Sequence, residues 1–131
     1  MKKTKFNSVL LIDDNAISNV LHQTVIDNCH FSENTIVFES AENALQYLQN
    51  ETSQDRLPEI IFLDINMPVM NGFGFLSAYN KLPAATTQKS KIIMLTSSLD
   101  DIDMEKAKAD SHVIDFFVKP LTIAMLNTIA I

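Results

Sequence analysis

Four stretches of this chain are uninterrupted apolar runs that stop on a polar group. Val9-Leu10-Leu11-Ile12 precedes Asp13-Asp14, Ile60-Ile61-Phe62-Leu63 precedes Asp64, Ile92-Ile93-Met94-Leu95 precedes Thr96, and Phe116-Phe117-Val118 precedes Lys119. A strand sends successive side chains to opposite faces, so a run that is apolar at every position has to be buried on both sides. That is the situation of a strand inside a parallel sheet covered by helices on both faces. Each parallel connection needs a crossover, which a helix between strands supplies.

The segments between the runs have the composition for those crossovers. From Asn15 the apolar period changes to a helical one, with Ile17, Val20, Leu21, Thr24 and Val25 on one face and Ser18, Asn19, His22 and Gln23 on the other. The first face is expected to pack inward, with Asn15 or Asp14 as the cap. Thr35-Ile36-Val37-Phe38 reads as a strand, and Ser40 caps a helix with the stripe Ala41, Ala44, Leu45 and Leu48. Asn50 to Pro58 is a polar loop. Pro68 and Asn71-Gly72 turn the chain after the Ile60 strand, and Phe73, Leu76 and Tyr79 mark a third helix. Asn80 to Lys89 reads as a loop, Leu99 to Ala109 as a helix with the weak face Ile102, Met104 and Ala107, and Asp115 to Val118 as the fifth strand. Thr122 caps a last helix running to the C-terminus. The expectation is an α/β domain with a five-stranded parallel sheet and helices on both faces.

Ligands of such sheets bind in the crevice beyond the carboxyl ends of the strands. If the strand ends share one edge, Asp13, Asp14, Asp64, Thr96 and Lys119 converge there although they are far apart in sequence. Each alone has a plain alternative: a helix cap, a turn hydroxyl, a solvated charge. Together they form a chemical set. Three clustered carboxylates repel one another unless a cation shares the site, and an all-oxygen ligand set suits magnesium, Mg2+. Lys119 and the Thr96 hydroxyl are then free to hold an anion.

Composition narrows the partners. A length of 131 residues fits one domain spanning 1–131, and a net charge of −6 disfavours nucleic acid as a direct partner. No apolar run approaches the length of a membrane span, and the basic Met1-Lys2-Lys3-Thr4-Lys5 start lacks the apolar stretch of a secretory signal. With Cys29 as the single cysteine, an internal disulfide is excluded and a cytoplasmic location is expected. His22, His30 and His112 are assigned to a helix surface, a loop and a strand approach, without a role. Cys29 is expected to be a partly buried helix-end residue.

The segments Leu11-Ile12-Asp13-Asp14-Asn15, Leu63-Asp64-Ile65-Asn66-Met67-Pro68-Val69-Met70-Asn71-Gly72, Leu95-Thr96-Ser97 and Phe117-Val118-Lys119-Pro120 resemble the signature segments of response-regulator receiver domains, and the resemblance spans nearly the whole chain. It implies a flavodoxin-like sheet of order 2-1-3-4-5, with Asp64 as phosphoacceptor. It also implies that Asp14, Asp64 and the Asn66 carbonyl ligate magnesium, that Asp13 acts through a bound water, and that the Lys119-Pro120 peptide is cis. Thr96 becomes the switch hydroxyl, Lys119 the phosphoryl-binding cation and Phe116 the aromatic that reports the state. The implied partners are a histidine kinase or histidine phosphotransfer protein as donor, and an output protein or a second copy as target. With few residues after Pro120, a receiver without an output domain is expected.

One segment departs from the family pattern. Lys108-Ala109-Asp110-Ser111 stands where Gly-Ala-Asp-Gly is common, so the turn into the fifth strand is expected to differ and Phe116 to be affected. Two other classes compete. A haloacid-dehalogenase-type phosphohydrolase also has a strand-end aspartate nucleophile, but it needs a second aspartate where Asn66 stands. A phosphorylation-independent module would keep the fold and lose the pocket residues, all of which are present. The uncharged last segment from Leu121 to Ile131 needs Leu121, Met125, Leu126 and Ile129 for the core and leaves Ile123, Ala130 and Ile131 for an output or dimer surface.

Overall fold

In a computed structural model, residues 5–51, 56–98 and 100–129 are described. The strands are β1 (Phe6–Ile12), β2 (Ser32–Phe38), β3 (Ile60–Asp64), β4 (Lys91–Thr96) and β5 (Val113–Val118). They form one parallel sheet in the order β2-β1-β3-β4-β5, as expected. The helices are α1 (Ala16–Asn28), α2 (Ala41–Asn50), α3 (Gly72–Tyr79), α4 (Ala84–Thr87), α5 (Asp101–Ala109) and α6 (Ile123–Asn127).

The apolar runs are buried on both faces because consecutive residues belong to different cores. Leu10, Ile12, Ile61, Leu63, Ile92 and Met94 pack with Ala44 and Leu48 of α2, Phe75 and Leu76 of α3 and Ala107 of α5. Val9, Leu11, Ile60, Phe62, Ile93 and Leu95 pack with Ile26 of α1, Leu126 of α6, and Leu121 and Ile129 that flank α6. Parallel register then fixes the strand ends. Ile12 lies beside Leu63, so Asp13 and Asp64 are level; Asp64 lies beside Leu95, and Thr96 beside Val118. Thr96 and Lys119 therefore each project one residue further along the sheet edge.

Several caps match the sequence. Side-chain oxygens of Asn15, Ser40 and Thr122 accept from the backbone N–H groups of Ser18, Asn43 and Met125. Asn71 does the same for Gly74 at the start of α3. The Lys119-Pro120 peptide is cis, and Cys29 caps α1 half-buried.

Other expectations are corrected. The inward face of α1 carries Asn19, His22 and Ile26, whereas Ile17, Val20 and Leu21 are 73%, 65% and 56% exposed. Only Val25 of the expected apolar face packs on the core. In this orientation the buried Asp13 carbonyl takes a hydrogen bond from the Asn19 amide at 2.8 Å and is not left without a partner. His22 is consequently a core residue and not a surface one. The segment from Asn80 to Lys89 contains the single turn α4 after Pro83, held by the Tyr79 hydroxyl donating to the Thr87 carbonyl at 3.3 Å. In α5 only Ala107 is buried, and Ile102 is 67% exposed.

The altered turn before β5 is closed by Asp110. Its carboxylate accepts from the His112 backbone N–H at 2.9 Å and from the Asn80 side-chain amide at 2.7 Å. β5 starts at Val113, and an irregularity places both Val113 and Asp115 opposite consecutive residues of β4, so Ile114 is the extra residue. Beyond it the register is regular and Phe116 lies beside Met94. The expected long last helix ends at Asn127; Leu121, Leu126 and Ile129 are buried, Met125 is half-buried and Ile123 is 47% exposed. Leu99, Ala130 and Ile131, which entered the sequence expectations, lie outside the described residues.

Gly72 sets how closely α3 follows β3. A Cβ there would lie 2.9 Å from the Asp64 carbonyl oxygen and 2.9 Å from Ile65 Cα, both backbone atoms that cannot move independently. At Gly74 the nearest atom is the mobile Met70 Cγ at 3.0 Å. Gly72→Ala should therefore cost about 1–3 kcal/mol in urea unfolding, as overpacking does. Gly74→Ala should stay within about 1 kcal/mol of the parent, because Met70 can move and alanine favours helix. Equal costs at the two positions would contradict the close-approach argument.

Candidate functional site

Three strand ends bring Asp13, Asp64 and Lys119 into contact. The Lys119 ammonium donates to Asp13 Oδ2 at 2.6 Å and lies 3.2 Å from Asp64 Oδ1. Asp13 is 0% and Asp64 3% exposed, whereas Asp14, on the β1–α1 turn, is open to solvent. Backbone N–H groups complete the hold: Asn15 donates to Asp13 Oδ1 at 2.9 Å and Asn66 to Asp64 Oδ1 at 3.4 Å. Lys119 is fixed through its own backbone, whose N–H donates to the Thr96 carbonyl at 2.7 Å.

Burial pushes the Asp64 carboxyl above the usual carboxylate range, and the Asp13 charge adds to the shift; Lys119 acts against both. Burial by itself would depress Lys119. Its hydrogen bond to Asp13 and the charges of Asp64 and Asp13 outweigh burial and leave it raised and firmly protonated. One ammonium thus bridges two carboxylates of a cluster of three, and the crevice keeps excess negative charge.

The donor set fits a hard divalent cation. One oxygen from each of Asp13, Asp14 and Asp64 lies within 4.8 Å of the others, no sulfur or imidazole among the described residues joins them, and exposed Asp14 leaves a way in for a hydrated ion. Magnesium matches these ligands.

The remaining predicted residues stand apart from this contact. Thr96 is at the same edge and 1% exposed, but its hydroxyl is engaged locally, donating to the Ser98 carbonyl at 2.9 Å and accepting from the Ser98 N–H at 3.3 Å. Asn66 is exposed beside Asp64. Phe116 is half-buried against the first core, in the wall of a groove of about 330 Å3 that also includes Met104, Ala107 and Ile114.

Sequence patterning missed the layer behind the acids. Asn19 and His22, one turn apart on α1, are 4% and 2% exposed. His22 is held below the usual imidazole range, first by burial and then by the Lys119 charge, with Asp13 opposing, so it is neutral there. The available signal was the polar pair Asn19 and His22 in line with Ile26, three and four residues apart, but the stronger apolar stripe on the opposite face masked it.

The comparisons with known proteins agree with this geometry. The family model for the response regulator receiver domain matches residues 9–130. A crystal structure of a two-component response regulator from Cytophaga hutchinsonii is similar with a TM-score of 0.88 and 37% identity, covering 97% of this chain and 94% of that one. The probable chemotaxis protein CheY of Rhizobium etli is 31% identical over 119 residues, 91% of this chain and 85% of that protein. The transcriptional regulatory protein HptR of Staphylococcus aureus is 30% identical over 125 residues, which is 95% of this chain but 44% of HptR. With a buried acid pair bridged by lysine at the carboxyl edge of a β2-β1-β3-β4-β5 sheet, and a family model that matches almost end to end, this chain belongs to the response-regulator receiver domains of two-component signalling.

Proposed function

We propose that Asp64 accepts a phosphoryl group from a phosphohistidine on a histidine kinase or phosphotransfer protein, and that the aspartyl phosphate changes which partner the domain binds. The observation that carries this is the buried Asp64 carboxylate, placed level with Asp13, within reach of Lys119 and beside the open acid Asp14. An Asp64 oxygen forms a bond to phosphorus while the phosphorus–nitrogen bond of the donor imidazole breaks. The electron pair leaves with the ring nitrogen, which takes a proton from solvent. Magnesium held by Asp14, Asp64 and the Asn66 carbonyl, and reached by Asp13 through water, would supply positive charge to the phosphoryl oxygens.

Lys119 is already in place. When one Asp64 oxygen is phosphorylated, the ammonium keeps its bond to Asp13 and turns its remaining donors to a phosphoryl oxygen. Thr96 has to give up its Ser98 bonds to reach the same group, so the phosphoryl charge competes with a local turn. That exchange pulls the β4 end and the neighbouring Phe116, and a preference of a few kcal/mol for the rearranged state is enough to move most of the population. The signal ends when water attacks phosphorus, the phosphorus–oxygen bond to Asp64 breaks, and carboxylate and inorganic phosphate separate.

The donor protein has to approach along α1. Ile17, Val20 and Leu21 there, and Val69 in the β3–α3 loop at 93% exposure, are apolar side chains open to solvent. Packing against them would hold a donor histidine at Asp64. On the output side, the groove beside Phe116 and the exposed Ile123 are the surfaces to test for an output protein or a second copy.

Asp64→Asn should abolish labelling by a small phosphodonor with magnesium, read as intact mass; a wild-type adduct in the variant would refute the assignment. The same substitution should raise the melting temperature by about 2–6 °C at neutral pH. The carboxyl is raised in the folded state, so its ionisation opposes folding at all pH values above that raised range; the penalty, and with it the advantage of Asn, fades as pH falls to the ordinary carboxylate range. Added magnesium should stabilise the wild type and leave Asp64→Asn much less changed. Leu21→Glu should slow transfer from a phosphorylated donor protein by tenfold or so, the effect of an interface core residue worth about 1–2 kcal/mol, while labelling by the small phosphodonor is unaltered. Equal loss with both donors would remove α1 from donor docking.

A further inference from the structure

We infer that Asn19 is a positioning residue for the acid crevice, acting through the Asp13 carbonyl to set the turn that presents Asp13 and Asp14 to a cation; this rests on the magnesium-dependent function proposed above. Asp13 is fully buried, so its backbone groups need protein partners. Its N–H donates to the Phe38 carbonyl at 3.1 Å, extending the sheet by one bond past β1. Its carbonyl points out of the ladder and is met by the Asn19 side-chain amide at 2.8 Å.

Asp14 is therefore held from both sides. On one side the Asp13 main chain is fastened to β2 and to Asn19. On the other, Asn15 donates its N–H to Asp13 Oδ1 and caps α1 through Ser18. The Asn19 backbone N–H also donates to the Asn15 carbonyl at 3.1 Å, so one residue ties both ends of the turn. Without the amide, the turn loses the only bond that its buried carbonyl makes among the described residues, and Asp14, exposed and bonded to nothing in the core, is free to drift from Asp64.

A residue placed there for packing alone would be apolar, like Ile26 two turns on. Asn19 is instead 4% exposed, and its Oδ1 has no hydrogen-bond partner among the described residues. That arrangement costs stability and is compensated only if the donated bond matters. Groups that orient ligands from behind commonly change metal affinity by 10–100-fold when removed.

The test is magnesium binding by calorimetry, and by amide chemical shifts of residues 13–15, in wild type, Asn19→Ala, Asn19→Leu and Ile26→Ala. Alanine favours helix, so Asn19→Ala retains α1. Both Asn19 variants should bind magnesium on the order of tenfold more weakly, and half-saturating magnesium for labelling should rise by the same factor while the rate at saturating magnesium falls far less. Ile26→Ala removes core packing on the same helix and should leave magnesium affinity within about twofold. Wild-type affinity in Asn19→Ala, or an equal loss in Ile26→Ala, would overturn the inference. Wild type that binds no magnesium would instead sink the proposed function itself, whatever the variants do.

Discussion

The ammonium of Lys119 lies between two buried carboxylates, and the geometry of the whole sheet edge depends on that bridge. Asp13 and Asp64 come from adjacent strands, stand level with each other and are both buried, so without a cation they would repel. Lys119 arrives from β5, beyond β4, and its backbone N–H to the Thr96 carbonyl sets how far it reaches. Removing the ammonium leaves two buried carboxylates uncompensated, which is far more costly than losing a surface ion pair, whereas neutralising Asp64 leaves Lys119 paired with Asp13. The ionic bridge thus couples β1, β3 and β5 at the place where chemistry is proposed to occur.

Negative charge still dominates there, a donor set that fits a divalent cation and, in the proposed function, a phosphoryl group beside it. The electrostatics are arranged unevenly. Asp13 and Lys119 are committed to each other, Asp64 is raised by burial, and Asp14 faces solvent. The Thr96 hydroxyl is satisfied by its own turn, so engaging a new oxygen requires it to release Ser98. A site whose members are bonded to one another before reaction can act as a switch, because new charge must break old bonds to make its own.

Much of this was legible in the chain. Runs apolar at every position announce strands buried on both faces, and their abrupt polar ends announce a shared edge; Asp13, Asp14, Asp64, Thr96 and Lys119 are all at that edge. Short-range caps at Asn15, Ser40 and Thr122 were readable because the capping oxygen and the N–H groups it serves are neighbours in sequence. The face of α1 was not readable. Ile17, Val20 and Leu21 form the better apolar stripe, yet Asn19 and His22 are the ones turned inward, where the Asn19 amide serves the buried Asp13 carbonyl. The turn α4 and the extra residue Ile114 in β5 also escaped: α4 is held by the Tyr79 hydroxyl on the Thr87 carbonyl, and the turn before β5 by Asp110, which Asn80 meets from thirty residues away.

The sequence by itself determined the number and class of the strands, their parallel arrangement and the residue types at their ends, because burial on two faces and the chemistry of side chains are properties of short segments. Tertiary structure alone decided which of those groups touch. Register put Asp13 level with Asp64, reach and backbone bonding brought Lys119 onto both, and Thr96 was left engaged with Ser98 and not with the acids. Distances between strand ends depend on pairing across the sheet, and the Asn19 bond to the Asp13 carbonyl exists only once the strand has ended where it does. Neither is encoded in the pattern of any one segment.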